Sequence, residues 1–442
     1  MLRRTATAVA ACLALAAAPA PAQDLIKKAP PQEHPTVVVN ATIHPISSEP
    51  IEHAWLLFDK GVIVEIGTGT PPSSADTLVV EGAGRHVYPG LISAYSQLGL
   101  TEIQAVRATR DMDEVGVAGV SPEVFAAVSV NPDSTLIPVT RSNGVLIAGV
   151  FPTGGAIPGR ASVMRLDGWT WEDMAILRDA GVVVSWPWMR PVTAWWMDQS
   201  DEEQQRQIRE RTEAIESAFR QARAYHAAKS ADPLTPTDLR WEAMGPALRG
   251  DAPVFIEANE YDQIVAAVTF AQREGLRPII IGGRDAPLCA DLLRRHQVPV
   301  IVTGTFRFPK RDDSPYNDAY TLPARLEAAG ITWALSGGDD TAHERNLPYA
   351  AAMAVAHGLD EDAAIRALTL SAAQIFGIDD RYGSLEKGKS ATFIVTDGNP
   401  LEVTTNVHAA FIDGRRIDLR NKQTQLEEKY REKYEQIGGF RR

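Results

Sequence analysis

Residues 334–341 read Ala-Leu-Ser-Gly-Gly-Asp-Asp-Thr, so Asp339 and Asp340 follow a short apolar run, with His343 and Glu344 close behind. Adjacent carboxylates beside a histidine and a glutamate supply the side chains for general acid–base work or for part of a divalent metal site. The structural alternative is that an aspartate here caps the helix that follows. A catalytic zinc takes three protein ligands. The nine histidines, His34, His44, His53, His86, His226, His296, His343, His357 and His408, contain no His-x-His or His-x-x-x-His pair. Ligands drawn from separate strands remain open. Only Cys12 and Cys289 carry thiols, which excludes iron–sulfur centres, thiolate clusters and a disulfide framework.

The elements that must position these residues fall into three stretches. Met1-Leu2-Arg3-Arg4, an apolar run from about Ala6 to Ala18 and then Ala20-Pro21-Ala22 have the form of a cleavable signal peptide over 1–22. A periplasmic or secreted location is therefore expected, with no later segment apolar enough to act as a membrane anchor. Residues 23–35 read as a Pro-rich linker. Strand signals follow at 36–43, at 54–58 and 62–66 around the turn Asp59-Lys60-Gly61, and at 78–81. From about residue 85 short apolar strands alternate with helices. Strands are expected at 145–150, 182–184, 253–258, 278–281, 298–302 and 332–335. Helices are expected at about 200–226, 262–274 and 290–296. Two further strands, 391–395 and 409–412, precede a charged helix over about 423–436.

Such alternation predicts parallel βαβ units. No Gly-x-Gly-x-x-Gly opens the α/β region, which disfavours a dinucleotide-binding sheet. With 442 residues, 45% hydrophobic and 23% charged, the chain has the make-up of a large globular core. Its net charge of −12 disfavours nucleic acid as a partner.

Three segments carry a resemblance to a known family. Val87-Tyr88-Pro89-Gly90-Leu91-Ile92-Ser93-Ala94-Tyr95-Ser96-Gln97-Leu98 resembles the entry into the first barrel strand of the amidohydrolase superfamily. Residues 368–377, Leu-Thr-Leu-Ser-Ala-Ala-Gln-Ile-Phe-Gly, lead to Gly383-Ser384-Leu385-Glu386-Lys387-Gly388-Lys389. Together with 391–401 they resemble the carboxyl-terminal signature of that superfamily, most closely its imidazolonepropionase-like secreted members. The resemblance implies an α/β fold: a (β/α)8 TIM-like barrel over 87–384, plus a small β-sandwich formed by both chain ends (36–86 and 385–420), then a charged helical tail over 421–442. It also implies an active site at the carboxyl ends of the barrel strands and metal-assisted hydrolysis of C–N bonds in amides, cyclic amides or dipeptides.

Against that pattern, the first-strand His-x-His positions hold Tyr95 and Gln97, and the aspartate position before them holds Ser93. The histidine positions of the fifth and sixth strands hold Glu257 and Gly282. No counterpart of a bridging lysine or glutamate stands near Val182 to Trp186. Asp339 aligns with the catalytic aspartate, and Asp340 lies one residue off. The resemblance thus implies a degenerate metal site with no cofactor expected, or zinc or another divalent metal if the family chemistry persists.

Glu257 would point into the barrel mouth, where a buried carboxylate needs a partner such as Arg284 or a ligand. His343, Asp339 and Glu344 could form a partial cluster. Six of the nine tryptophans, Trp169, Trp171, Trp186, Trp188, Trp195 and Trp196, crowd one stretch, as a ligand platform, a protein interface or ordinary core. Three functions follow as expectations. The first is a low-activity or non-catalytic homologue that binds a small molecule. The second is an active hydrolase using Asp339 and Glu257 with a non-standard site. The third is a structural subunit in a hetero-oligomer with an active amidohydrolase.

Overall fold

The computed structural model describes residues 26–112, 119–192, 198–338 and 340–439. The expected signal peptide, Trp195, Trp196 and Asp339 lie outside the described residues. Strands β1 (Thr36–Ile43), β2 (Ile51–Asp59), β3 (Val62–Thr68), β4 (Leu78–Glu81) and β5 (His86–Pro89) open the chain. Next come β6 (Leu91–Ser96), β7 (Val145–Val150), β8 (Gly159–Arg165), β9 (Ala175–Ser185) and β10 (Val254–Ala258). After them stand β11 (Pro278–Gly282), β12 (Val300–Val302) and β13 (Trp333–Leu335), and β14 (Phe393–Thr396), β15 (Val407–Ile412) and β16 (Arg415–Arg416) close the series.

Both chain ends contribute to one eight-stranded sheet of order β16-β15-β14-β5-β1-β2-β3, with β4 pairing to β1 as well. The sheet forks at β1, whose first half (Thr36–Val39) runs parallel to β4 and whose end (Thr42, Ile43) runs parallel to β5. The β2–β3 hairpin turns at Lys60-Gly61, both with positive φ, as a tight hairpin turn requires. Its core holds Phe58, Phe393 and Phe411 with ring centroids 4.8–5.3 Å apart.

The second sheet runs β6 to β13 in sequence order, and its two end strands approach each other to nearly close a barrel. The expectation of uniformly parallel units needs correction, because β8 is antiparallel to both β7 and β9. Chain direction therefore reverses twice between β7 and β9 without a crossover helix. Elsewhere the barrel strands are parallel.

Residues alternate between two cores along these strands, as the two-residue pleat dictates. Phe255, Ile279, Ile281, Ile301 and Ala334 fill the barrel interior. Val254, Ile256, Ile280, Val300, Val302 and Leu335 pack outward against the helices. Phe151, Phe255 and Phe376 plug the interior, with centroids 5.1–6.5 Å apart. Among the helices, Asp201–Ala231 is capped by Ser200, which accepts from the Glu203 N–H. It buries Ile215, Ala218, Phe219 and Ala222. No helix among the described residues is long and apolar enough to cross a membrane.

Candidate functional site

A cavity of about 140 Å³ opens at the carboxyl ends of the barrel strands, lined by Tyr95, Glu257, Asn259, Gly282, Arg284, Thr303 and Arg307 among others. Tyr95 comes from β6, Glu257 from β10 and Gly282 from the end of β11, while Thr303 stands just past β12. This is the end at which barrel sites form. A larger hollow of about 220 Å³ beside His44 and Tyr88 contains no strand end of the barrel.

The structure brings Tyr95, Glu257 and Gly282 together on this cavity, as expected, but with altered roles. Tyr95 lies against Phe151 at 4.9 Å between centroids, so its ring extends the aromatic plug. Gln97 is buried just beyond β6. Gly282 has φ +96°, and a Cβ built there overlaps the Asn259 side chain. The backbone thus excludes a histidine at this position unless Asn259 moves.

Glu257 is exposed rather than buried, and it accepts a hydrogen bond from Ser185 Oγ at 3.0 Å. Arg284, one of the two partners expected for it, is paired instead with another carboxylate. The nearest carboxylate to Arg284 is that of Glu260, 3.8 Å from Nη1. Asp285 is engaged by Arg311, whose two terminal nitrogens reach it at 2.6 and 3.0 Å. Burial pushes the Arg284 guanidinium below its ordinary range, partly offset by Glu260 and Asp285. It stays charged at neutral pH, as guanidinium does. Its Nε and Nη1 are buried with no hydrogen-bond partner.

Asn259 is fixed by the helix that follows it, Tyr261–Arg273. Gln263 Oε1 accepts from the Asn259 N–H at 2.7 Å, and Gln263 Nε2 donates to the Trp186 carbonyl at 2.7 Å. The Asn259 carbonyl in turn accepts from the Asp285 N–H at 2.8 Å.

Of the cluster expected at the last strand, His343 and Glu344 do not come together, and Asp339 lies outside the described residues. Asp340 caps the turn Thr341–Asn346, accepting from the Ala342 N–H at 3.0 Å. His343 pairs with Asp340 at 3.2 Å on an exposed surface. Glu344 turns the opposite way and is fully buried. Its carboxyl accepts hydrogen bonds from Ser93 Oγ, from Ser96 Oγ at 2.7 Å and from the Gly337 N–H. Burial pushes that carboxyl up to about 7 despite these donors. Among the described residues no three His, Cys, Asp or Glu side chains converge as a metal site. Among the described residues, the donor set at the strand ends, a phenol, an exposed carboxylate and a glycine, does not fit a zinc site.

The tryptophans divide. Trp186 is core against Phe270 at 5.1 Å, and Trp171 meets Phe125 at 6.0 Å. Trp188 carries Lys310 over its face, and Trp169 is exposed. The residues that sequence reasoning passed over are Asn259 and Arg307. Their signal was position, immediately past a barrel strand, rather than residue type.

Residues 318–417 match the model of the amidohydrolase family. The amidohydrolase tasK of Hapsidospora irregularis is 24% identical over 439 residues, covering 86% of this chain and 43% of its own. This chain therefore spans less than half the length of that relative. A crystal structure of an amidohydrolase from Thermotoga maritima MSB8 superposes with a TM-score of 0.78, at 24% identity, over 87% of this chain and all of its own. A zinc-bound adenosine deaminase from Xanthomonas campestris superposes with a TM-score of 0.51, at 18% identity, over 92% of this chain and 99% of its own.

Proposed function

We propose that the chain is a member of the amidohydrolase superfamily, whose family model residues 318–417 match, and that it is a non-catalytic or low-activity member whose barrel mouth binds a small molecule. The carrying observation is the donor set: Tyr95, Gln97, Glu257 and Gly282 stand where the superfamily resemblance implies histidines. Tyr95 is packed on Phe151, and Gly282 has no room for a side chain beside Asn259. Metal-assisted cleavage of C–N bonds needs a Lewis acid held by three ligands, and these residues do not offer them. Export through the signal sequence over 1–22 belongs to the same reading. Within the superfamily, the imidazolonepropionase-like group remains the one proposed.

The test is elemental analysis of the mature chain after exposure to zinc, manganese and iron followed by extensive desalting. The same protein is screened for hydrolysis of amides and dipeptides. Retained metal well below one ion per chain, with no turnover, is expected. Near-stoichiometric metal that disappears in Asp339→Ala, or turnover abolished by Asp339→Ala or Glu257→Gln, overturns it in favour of an active hydrolase.

A second reading has one observation behind it. The relative tasK carries more than its own matched length again outside the alignment. In that relative the matched region is joined to further chain, and by analogy we propose as the second reading that this barrel works beside another protein, an active amidohydrolase homologue. Co-purification of this chain with a histidine-complete homologue tests it.

A further inference from the structure

We infer that the hollow beside His44 and Tyr88 is a second binding site, shaped for the zwitterion of a small free α-amino acid. It lies between the loop after β1, strand β5 and the helix Glu361–Ala367. It is separate from the barrel mouth and independent of whatever the mouth binds. Tyr88 is 3% exposed and lines the hollow, and its hydroxyl has no hydrogen-bond partner among the described residues. Its ring is stacked on His44 with the planes 11° apart. His44 is held in turn by His86, Nε2 to Nδ1 at 3.0 Å. The hydroxyl is thus fixed in place, and leaving a buried one unsatisfied is costly. Burial and the charges of Glu361 and Asp362 push it above its ordinary range, so it meets a ligand as O–H, able both to donate and to accept.

The charges on the wall select the ligand. Asp362 and Arg366 stand one turn apart on the helix Glu361–Ala367, and both line the hollow. An aspartate four residues before an arginine is placed to pair with it. Here the two side chains pair neither with each other nor with any other described residue. One anion and one cation are left open on the same wall. Glu49 adds a second carboxylate, while the His44 ring, lowered to about 4, is neutral at ordinary pH. A plain anion would face two carboxylates, and a plain cation would leave Arg366 unanswered. A zwitterion answers both, its carboxylate on the Arg366 guanidinium and its ammonium on Asp362. At about 30 Å³ per liquid water, a hollow of about 220 Å³ holds a ligand of roughly seven heavy atoms, the size of serine.

The test titrates the full chain, dialysed free of amino acids, with three probes read by calorimetry and thermal shift. L-serine carries both charges, N-acetyl-L-serine lacks the ammonium and L-serinamide lacks the carboxylate. Serine is expected to bind saturably and at least about tenfold more tightly than either derivative, the scale of one charge-assisted hydrogen bond. Arg366→Met is expected to erase the preference for serine over serinamide. Asp362→Asn is expected to erase the preference for serine over N-acetylserine. Both residues are exposed, so the variants should fold as the parent does.

Tyr88→Phe keeps the ring on His44 and removes only the hydroxyl. It is expected to weaken serine about tenfold, which a purely structural role for the ring would not do. No saturable binding of serine, or equal binding of all three probes, overturns the assignment. Serine binding unchanged in all three variants places the ligand elsewhere in the molecule and overturns it too. None of these outcomes bears on the metal content or the turnover that test the barrel mouth.

Discussion

Glu344 accepts a hydrogen bond from Ser96 Oγ at 2.7 Å across 248 residues of chain. With Ser93 as a second donor, this single carboxyl ties the first barrel strand to the turn that follows the last.

The bond has a pH signature. The Glu344 carboxyl is pushed from its ordinary 4.5 up to about 7 by burial. The folded chain therefore keeps its proton where the unfolded chain has lost it. Stability is full below pH 4.5 and falls as pH rises through about 7, by about 3 kcal/mol in all. Glu344→Gln is expected to remove that decline. Urea unfolding at pH 5 and pH 8 should show the variant gaining on the parent at the higher pH.

His44 works with the opposite sign. Burial, helped by His86, lowers its ring from 6.5 to about 4, while it stacks on Tyr88 with centroids 4.0 Å apart. Its contribution is present above pH 6.5 and is lost as pH falls towards 4. The two groups oppose each other between about pH 4.5 and 6.5. The parent curve should be flatter there than that of either Glu344→Gln or His44→Gln. A steeper parent curve would count against both assignments.

Asp167 joins three parts of the chain. Its carboxylate binds Arg141 Nη1 at 2.7 Å and Arg415 Nη1 at 2.9 Å, and it accepts the Ala29 N–H at 3.2 Å. Arg141 and Asp167 are each 1% exposed. Removing the anion strands a buried guanidinium, so Asp167→Ala is expected to destabilise by about 3–5 kcal/mol. The reading is the shift in denaturant midpoint. A change below about 1 kcal/mol, the range of a surface ion pair, would show that the pair is not buried in solution.

Gly282→His restores the residue type that the superfamily resemblance implies, yet it is expected to gain no metal. The φ of +96° and the overlap with Asn259 should instead lower stability by at least about 1–3 kcal/mol. Metal analysis beside a thermal melt distinguishes the outcomes. Metal retained without loss of stability would show that the β11 end can reshape.

The sequence exposed the parts of the fold that depend on local chemistry. Strands β1, β4 and β7 occupy the runs expected of them, because β-branched residues and flanking turns mark their ends. Strand β8 was hidden: Gly159-Arg160-Ala161 follows a glycine-rich loop and has little strand propensity. Only its pairing with β7 and β9 makes it a strand. The absence of His-x-His and His-x-x-x-His pairs could be read directly from residue types. The direction of Glu257, the pairing of Arg284 and the burial of Glu344 could not, because each is decided by partners from other elements. The Ser93 and Ser96 donors to Glu344 illustrate this, standing far from it in sequence.

The forked sheet sets an order of assembly. Strand β5 is hydrogen-bonded to β1 on one side and to β14 on the other, with Val87 opposite Val395. A chain emerging from its amino terminus completes β1 to β5 long before β14 exists. That open β5 edge must wait until the whole barrel has been made, during which it is free to pair wrongly. Closing so long a loop is slow. Final docking of the carboxyl-terminal strands is therefore expected to be the late step of folding, and a chain cut before Phe393 should leave the amino-terminal strands prone to self-association.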